Sequence, residues 1–129
     1  MLAKESFAAL ADIDPQINAA SAAKTSSYIS ANKYARIYAV ASLGALDSGT
    51  ETLQLYQATD SSGTSAKVLG ASAASATNGA RIEVQANTDA MDTAGGFTFV
   101  AVRITDSGAG GTGALVSAVM FGIDPDYKA

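Results

Sequence analysis

The chain has 129 residues, carries a formal net charge of −4 and contains neither cysteine nor histidine. The missing cysteine removes disulfides and thiolate metal sites, and the missing histidine removes the commonest general base and transition-metal ligand, so we expect no enzyme, no metal site and no cofactor. The negative charge argues against a nucleic acid as partner. The sequence contains no run of about 18 apolar residues, so it predicts no membrane-spanning segment.

Residues 1–24 form a predicted arm, and residues 25–129 form a predicted β-sandwich domain. Leu2, Phe7 and Leu10 follow a near-helical spacing, which predicts a short helix over residues 3–11 that ends before Pro15. A helix this short is marginal in isolation. We therefore expect the arm, whether extended or helical, to settle only against another surface.

From Thr25 onward the apolar residues recur with a period of two between turn residues, which indicates short strands. The predicted strands lie at 28–29, 34–43, 51–58, 67–69, 80–86, 97–105 and 114–121, with a further candidate at 16–19. The small-residue segment 70–79 is predicted to be a loop closed by Asn78-Gly79, and Ile82 and Val84 are expected to face the core. This pattern indicates an all-β fold, an antiparallel β-sandwich or jelly roll.

Three of these strands carry apolar residues on both faces. The opposed sets are Val100, Val102 and Ile104 against Phe97, Phe99 and Ala101; Val116 and Met120 against Leu115, Val119 and Phe121; and Ile37 and Leu43 against Tyr34, Tyr38 and Val40. A sandwich covers one face of each sheet, so the arm, a sister subunit or a larger partner is expected over the second face. The alternative is that these are scattered surface residues without a role.

The polar string QATDSSGTSAK at residues 57–67 offers three readings: a phosphate loop, a calcium loop or a turn. A phosphate loop needs more glycines and a following helix, and a calcium loop needs a distal acidic residue, which is missing here. Asp and Ser favour the start of turns and Gly supplies a positive φ. We therefore predict that Asp60–Gly63 turns the chain between two strands.

The remaining polar candidates also favour structural roles. Asp89 with Asp92, and Asp124 with Asp126, lie in polar turns without an aromatic-lined cleft, so a glycosidase-like pair is disfavoured. The glycine-rich segment 107–113 precedes a strand rather than a helix, unlike a dinucleotide-binding motif. The sequence therefore predicts no catalytic residue and no cofactor-binding residue.

Several phrases, in this order and spacing, resemble the head decoration (cement) proteins of tailed bacteriophages. The phrases are Thr25–Ile29, Asn32–Arg36, Gly44–Leu46, Leu53–Lys67, Asp92–Phe97 and Gly122–Tyr127. The resemblance covers residues 13–127 and leaves residues 1–12 without a counterpart. It implies a sandwich or jelly-roll subunit that oligomerises on the outer surface of an HK97-type head and clamps neighbouring capsomers, with no catalytic residues.

We therefore predict a structural virion protein, made in the host cytoplasm and located on the outer capsid surface. Its expected partners are the major capsid protein and further copies of itself, as a homodimer or homotrimer. The predicted contact residues lie on the arm and on outer strand faces: Leu2, Phe7, Leu10, Ile13, Tyr34, Tyr38, Phe97 and Phe99. The alternative is a carbohydrate- or receptor-binding sandwich module of a phage tail or fibre.

Overall fold

The computed structural model describes residues 7–19, 22–46, 49–107 and 113–125. Its strands are β1 (Phe7–Asn18), β2 (Ala23–Thr25), β3 (Ile29–Ser30), β4 (Tyr34–Leu43), β5 (Glu51–Ala58), β6 (Lys67–Ser75), β7 (Arg81–Asn87), β8 (Phe99–Asp106) and β9 (Ala114–Pro125). Two short 3-10 turns, Thr88–Ala90 and Thr93–Gly95, lie between β7 and β8. Within these ranges, no helix is long and apolar enough to cross a membrane. The expected all-β fold class is confirmed.

The strands form two antiparallel sheets. Sheet I has the order β1-β9-β4-β7, and sheet II has the order β2-β8-β5-β6 with β3 paired to β8. Buried residues from both sheets form one hydrophobic cluster, so the sheets pack face to face. The predicted antiparallel sandwich is confirmed, whereas the narrower jelly-roll topology stays a prediction.

The core is filled by every second residue of the central strands. In β4 the side chains of Ile37, Ala39, Ala41 and Leu43 are buried, while the residues between them are exposed or half-buried. The largest fully buried apolar side chains of the core are Ile37, Leu53, Leu55, Leu69, Val100, Val102, Ile104 and Met120. Full burial of each such side chain contributes about 1.5–3 kcal/mol, so these few residues supply most of the hydrophobic stabilisation.

The predicted helix at residues 3–11 is wrong where the structure describes it, because β1 begins at Phe7. β1 is an edge strand that pairs with β9 along its length and places Ile13 in the core. Pro15 is tolerated there because an edge strand has one side without ladder hydrogen bonds, and it sits within a register shift between Ile13 and Gln16. Residues 7–18 of the predicted arm are thus a strand of the sandwich.

The predicted loop at 70–79 is also partly wrong, because β6 continues to Ser75. A register shift falls between Leu53 and Leu55, and Gly70 adopts a φ of +74°. The Gln54 Nε2 group fills this irregularity by donating to the carbonyls of Leu55, Leu69 and Gly70 at 3.0–3.1 Å. Backbone hydrogen bonds therefore hold β6 as a strand, although its small side chains give no period-two signal.

Candidate functional site: the outer face of sheet I

The polar string at residues 57–67 is a self-satisfied turn. The Asp60 Oδ1 atom accepts hydrogen bonds from the backbone N–H groups of Ser62 and Thr64 at 2.9 and 3.1 Å, and its Oδ2 atom accepts one from the Thr64 hydroxyl at 2.6 Å. The Thr64 hydroxyl and the backbone donors hold the pKa of Asp60 below its ordinary value. The carboxylate is turned into its own loop, and the predicted turn is confirmed.

Replacing Thr64 by valine is expected to raise the pKa of Asp60 toward its ordinary value, because the strongest donor to the carboxylate is lost. A carboxyl with a lowered folded-state pKa stabilises the fold above its unfolded-state pKa, and this contribution is lost as the pH falls through the folded-state pKa. The stability difference between wild type and Thr64→Val should therefore shrink at acid pH. An NMR titration of the Asp60 carboxyl carbon measures the shift.

Thr77→Val is the matched control, since Thr77 also lies in an exposed turn and makes its hydrogen bond to Ser75 through its backbone N–H. An Asp60 pKa that is the same in wild type and Thr64→Val would contradict the assigned role of the Thr64 hydroxyl.

The same loop covers the part of the outer face of sheet II that lies beside β8. A Cβ atom on Gly63 would lie 2.7 Å from the Tyr28 ring, so the glycine lets the loop rest directly on that ring. Tyr28 lies alongside β8, and burial raises the pKa of its hydroxyl. Ala101 faces this side of β8 yet is fully buried. The second apolar face of β8 is therefore covered by the chain itself.

The outer face of sheet I carries an apolar surface that the described chain leaves open. We define the apolar stripe by the residues Ile17 on β1, Tyr38 and Val40 on β4, and Leu115, Val119 and Phe121 on β9. Ile17 and Leu115 are 53% and 45% exposed, and the other four side chains are half-buried. Five of them lie between buried neighbours on their strands, and Ile17 lies opposite Leu115, so all six point away from the core.

Strand register pairs the residues of the stripe across the sheet. Ile17 lies opposite Leu115, Val40 opposite Val119, and Tyr38 opposite Phe121. The Tyr38 and Phe121 rings stack with their centroids 6.3 Å apart. Directly opposite residues contact each other on one face, so the stripe crosses β1, β9 and β4. The pair Ser42 and Ser117 divides it into two apolar patches, one at Ile17 and Leu115 and the other at the remaining four residues.

Charged residues flank the stripe on both sides. Asp12 on β1 lies opposite Val119, and Asp14 follows it within the register shift of β1. On the other side, β7 presents Arg81 opposite Ser42 and Glu83 opposite Val40. The Tyr38 hydroxyl donates to Glu83 Oε2, and this bond, with burial, raises the pKa of Tyr38 above its ordinary value. The stripe therefore has an acidic border at β1 and a border of mixed charge at β7.

This face carries several shallow depressions instead of one deep cleft. Three of them, with volumes of about 250, 260 and 260 Å³, follow β1 and β9. One is lined by Asp12, Asp14, Val40, Ser42 and Val119 among others, which places both aspartates on the same face as the stripe. This shape suits the side chains of a partner protein better than a small substrate, which usually binds in a deep, enclosed pocket.

Two predicted arm contacts turn out to be core residues or their neighbours. Ile13 is 5% exposed, because its register opposite Ala118 directs it between the sheets; it is not a surface contact. Leu10 is half-buried against the same cluster. Phe7 is the first residue of β1, and its side chain is not among those described; Leu2 lies outside the described residues.

The four predicted aromatic contacts do not share one surface. Tyr38 belongs to the apolar stripe, whereas Tyr34 packs on the core, where a Cβ atom on Gly122 would overlap its ring. Phe97 lies beneath the Lys67 ammonium, which is 4.1 Å from its ring centroid. Phe99 is half-buried in β8, opposite Ala58 in sheet II. Among the predicted contact residues whose side chains the structure describes, Tyr38 is the one that belongs to the apolar stripe.

The most exposed members of the stripe, Ile17 and Leu115, are not among the contact residues predicted from the sequence. Among the described residues, the exposed large apolar side chains are Ile17, Val68 and Leu115. Leu115 belongs to a strand that was recognised as apolar on both faces, and Ile17 lies in the candidate strand at 16–19. The signal was present in both segments, but their juxtaposition depends on the β1–β9 register.

A buried polar cluster at one end of the core was also missed. Asn18, Glu51 and Asp106 are at most 1% exposed, and Glu51 lies directly opposite Asp106. The Asn18 Nδ2 group donates to Glu51 Oε1 at 3.3 Å and to the carbonyl of Ala22 at 3.2 Å. Asn18 thus ties the end of β1 to β5 across the sandwich.

Of the acidic residues considered as catalytic pairs, Asp92 has a structural role. Asp92 caps the 3-10 turn Thr93–Gly95 and forms an ion pair with Lys67 at 2.8 Å, which lowers its pKa. Asp89 is exposed in the preceding turn; the Asp124 side chain and Asp126 are not among the described parts. Across the ranges that the structure describes, no group of three or more acidic residues is arranged to hold a metal ion.

Comparison with protein-family models, with curated proteins and with solved structures finds no match to this chain.

Proposed function

We propose that this protein is a structural virion subunit, a decoration or cement protein that binds the major capsid protein on the outer surface of a tailed-phage head. The proposal is supported by the order of the phrases that resemble this family and by the absence of histidine and cysteine from the chain. The observation that carries it is the open apolar stripe on sheet I, which contrasts with the covered second face of β8 in sheet II.

An uncovered apolar face favours association with a partner, because association removes its apolar area from water. Stable protein interfaces bury about 800 Å² per partner, with an apolar centre and a polar rim. The stripe supplies such a centre, and Asp12, Arg81 and Glu83 supply charged groups around it. On a symmetric shell, many copies engage at once, so a modest interface per subunit gives strong retention by avidity.

The test is addition of the purified protein to heads of its phage that were assembled without it. We expect co-sedimentation with the heads and a rise in their melting temperature, both saturating at a fixed copy number. Absence of co-sedimentation would overturn the proposal. Binding to a glycan array without binding to heads would instead support the carbohydrate- or receptor-binding alternative.

A further inference from the structure

The turn between β6 and β7 carries an exposed Asn-Gly pair. The Ala80 N–H donates to the Thr77 carbonyl at 3.2 Å, which closes a β-turn. Asn78 and Gly79 are its two central residues, both exposed to solvent, and Gly79 has a φ of +74°. Because glycine carries no side chain beside its backbone nitrogen, that nitrogen can attack the preceding asparagine amide with little hindrance.

We propose that Asn78 is a site of slow covalent modification to aspartate and isoaspartate, and that the fold gates this reaction. Solvent base removes the proton of the Gly79 N–H, and the nitrogen bonds to Asn78 Cγ. The Cγ–Nδ2 bond breaks, and Nδ2 takes up a proton and leaves as ammonia, which closes a succinimide. Water then opens the ring at one of its two carbonyls. Breakage at Cγ leaves aspartate, and breakage at the α-carbonyl leaves isoaspartate, in which the chain runs through Cγ.

Two hydrogen bonds hold the reacting groups in the folded chain. The Gly79 N–H, which must lose its proton, donates to the carbonyl of Gly44 at 3.2 Å. The Asn78 Oδ1 atom accepts from the backbone N–H of Leu46 at 2.9 Å, which fixes the side-chain amide. We define the corner as residues 44–46 together with the turn 77–80. Both groups are released only when the corner opens, so local opening precedes the reaction.

The corner is also fixed from the side of β9. The Gly44 N–H donates to the Leu115 carbonyl at 2.8 Å, and the Leu115 N–H donates to the Ala45 carbonyl at 3.1 Å. Residues 44–46 thus lie between the Asn78 turn and the start of β9. Because opening breaks several backbone hydrogen bonds at once, the open corner is rare in the folded chain.

The two products differ in their effect on the corner. Aspartate keeps an acceptor oxygen for the Leu46 N–H and leaves the backbone unchanged. Isoaspartate adds a methylene group to the backbone, which displaces the Gly79 N–H from the Gly44 carbonyl and keeps the corner from closing. We therefore expect isoaspartate, but not aspartate, to destabilise the sandwich.

The first test compares the full chain aged in buffer and in concentrated guanidinium chloride, at the same pH and temperature. Trypsin releases residues 68–81, in which Asn78 is the sole asparagine, and mass spectrometry with separation of the isoaspartyl peptide follows the reaction. We expect conversion in the folded chain to be slower by about tenfold or more. The internal control is Asn87, which is also exposed but is followed by the branched Thr88, and it should remain an amide in both samples.

Gly44→Ala tests the gate. A Cβ atom on Gly44 would lie 2.9 Å from Leu115 Cβ, which strains the corner, so we expect faster conversion of Asn78 in the folded variant. The matched control is Gly96→Ala, whose added Cβ meets no atom within 4 Å and lies before β8, outside the corner; it should leave the rate unchanged. Circular dichroism verifies that both variants fold.

Three results would contradict this proposal, and none of them depends on the proposed function. An unreacted Asn78 in denaturant would overturn the modification site. Equal conversion in buffer and denaturant, or equal acceleration by Gly44→Ala and Gly96→Ala, would overturn the gate. The Asn78→Asp variant should unfold like the wild type and the isoaspartyl fraction at lower denaturant; equal midpoints for these two would contradict the effect on the corner.

Discussion

Replacement of Gly113 by alanine is expected to lower the free energy of unfolding by about 3–5 kcal/mol. Gly113 adopts a φ of +95°, which a residue with a Cβ atom rarely takes, and that Cβ atom would lie 2.2 Å from the carbonyl oxygen of Asn18. The obstacle is backbone, 2.9 Å from Ala19 Cα as well, so no rotamer change relieves it. Urea unfolding monitored by circular dichroism measures the loss.

Gly96→Ala separates the strain of a positive φ from the overlap of the added Cβ atom with the backbone. Gly96 has a similar φ of +86°, but no atom lies within 4 Å of its Cβ position, so only the backbone strain of about 1–3 kcal/mol applies. An equal loss in both variants would show that the close approach of β9 to the end of β1 adds nothing.

Replacement of Asn18 by leucine is expected to cost about 2–4 kcal/mol, since it deprives a buried carboxylate of a hydrogen-bond donor. Asn18 and Glu51 are both fully buried, and the amide donates to the carboxylate at 3.3 Å. The leucine has a similar size and cannot donate, so the loss reports the hydrogen bonds rather than a cavity. Chemical unfolding at neutral pH is the measurement.

A second substitution identifies the cause. Glu51→Gln in the Asn18→Leu background replaces the carboxyl group that has lost its donor and should recover part of the loss. Asn87→Leu is the matched control, because Asn87 is exposed at the end of β7 and makes no side-chain capping bond. If Asn18→Leu were as stable as Asn87→Leu, the amide would not be compensating the buried carboxylate.

The sandwich was predictable where burial imposes a period of two. The strands Tyr34–Leu43 and Glu51–Ala58 have the bounds expected from the sequence, and Ile82 and Val84 face the core as predicted. These strands bury one face, and a strand with one buried face alternates between apolar and polar residues in its sequence.

Edge strands carried no comparable signal. β1 contains Pro15 and a register shift, and β6 has small side chains from Gly70 to Ser75. β6 pairs with the preceding strand β5, but its small side chains give no period of two, and β1 forms its backbone hydrogen bonds with a strand far away in the chain. β1 pairs with the last strand of the chain, a contact that no window of sequence contains.

The apolar character of the candidate site was predictable from the sequence, but its position in the fold was not. Apolar residues on both faces of β4, β8 and β9 predicted a second apolar face for each of these strands. That face of β8 is covered by Tyr28, whereas that of β9 is open to solvent. Ile17 and Leu115 are 98 positions apart in the chain, and only strand register brings them together. Residue type identifies apolar surfaces, whereas the topology of the fold decides which of them remain exposed to solvent.

The pairing of the first strand with the last also determines how the subunit responds to force. Phe7 lies opposite Ile123, so the start of β1 and the end of β9 are neighbours at one end of sheet I. Tension applied through these two points would break the hydrogen bonds between β1 and β9 one after another, as in opening a zipper, rather than loading them together. A domain built this way offers little resistance to tension applied between the start of β1 and the end of β9, and it withstands a load better through the broad faces of its sheets.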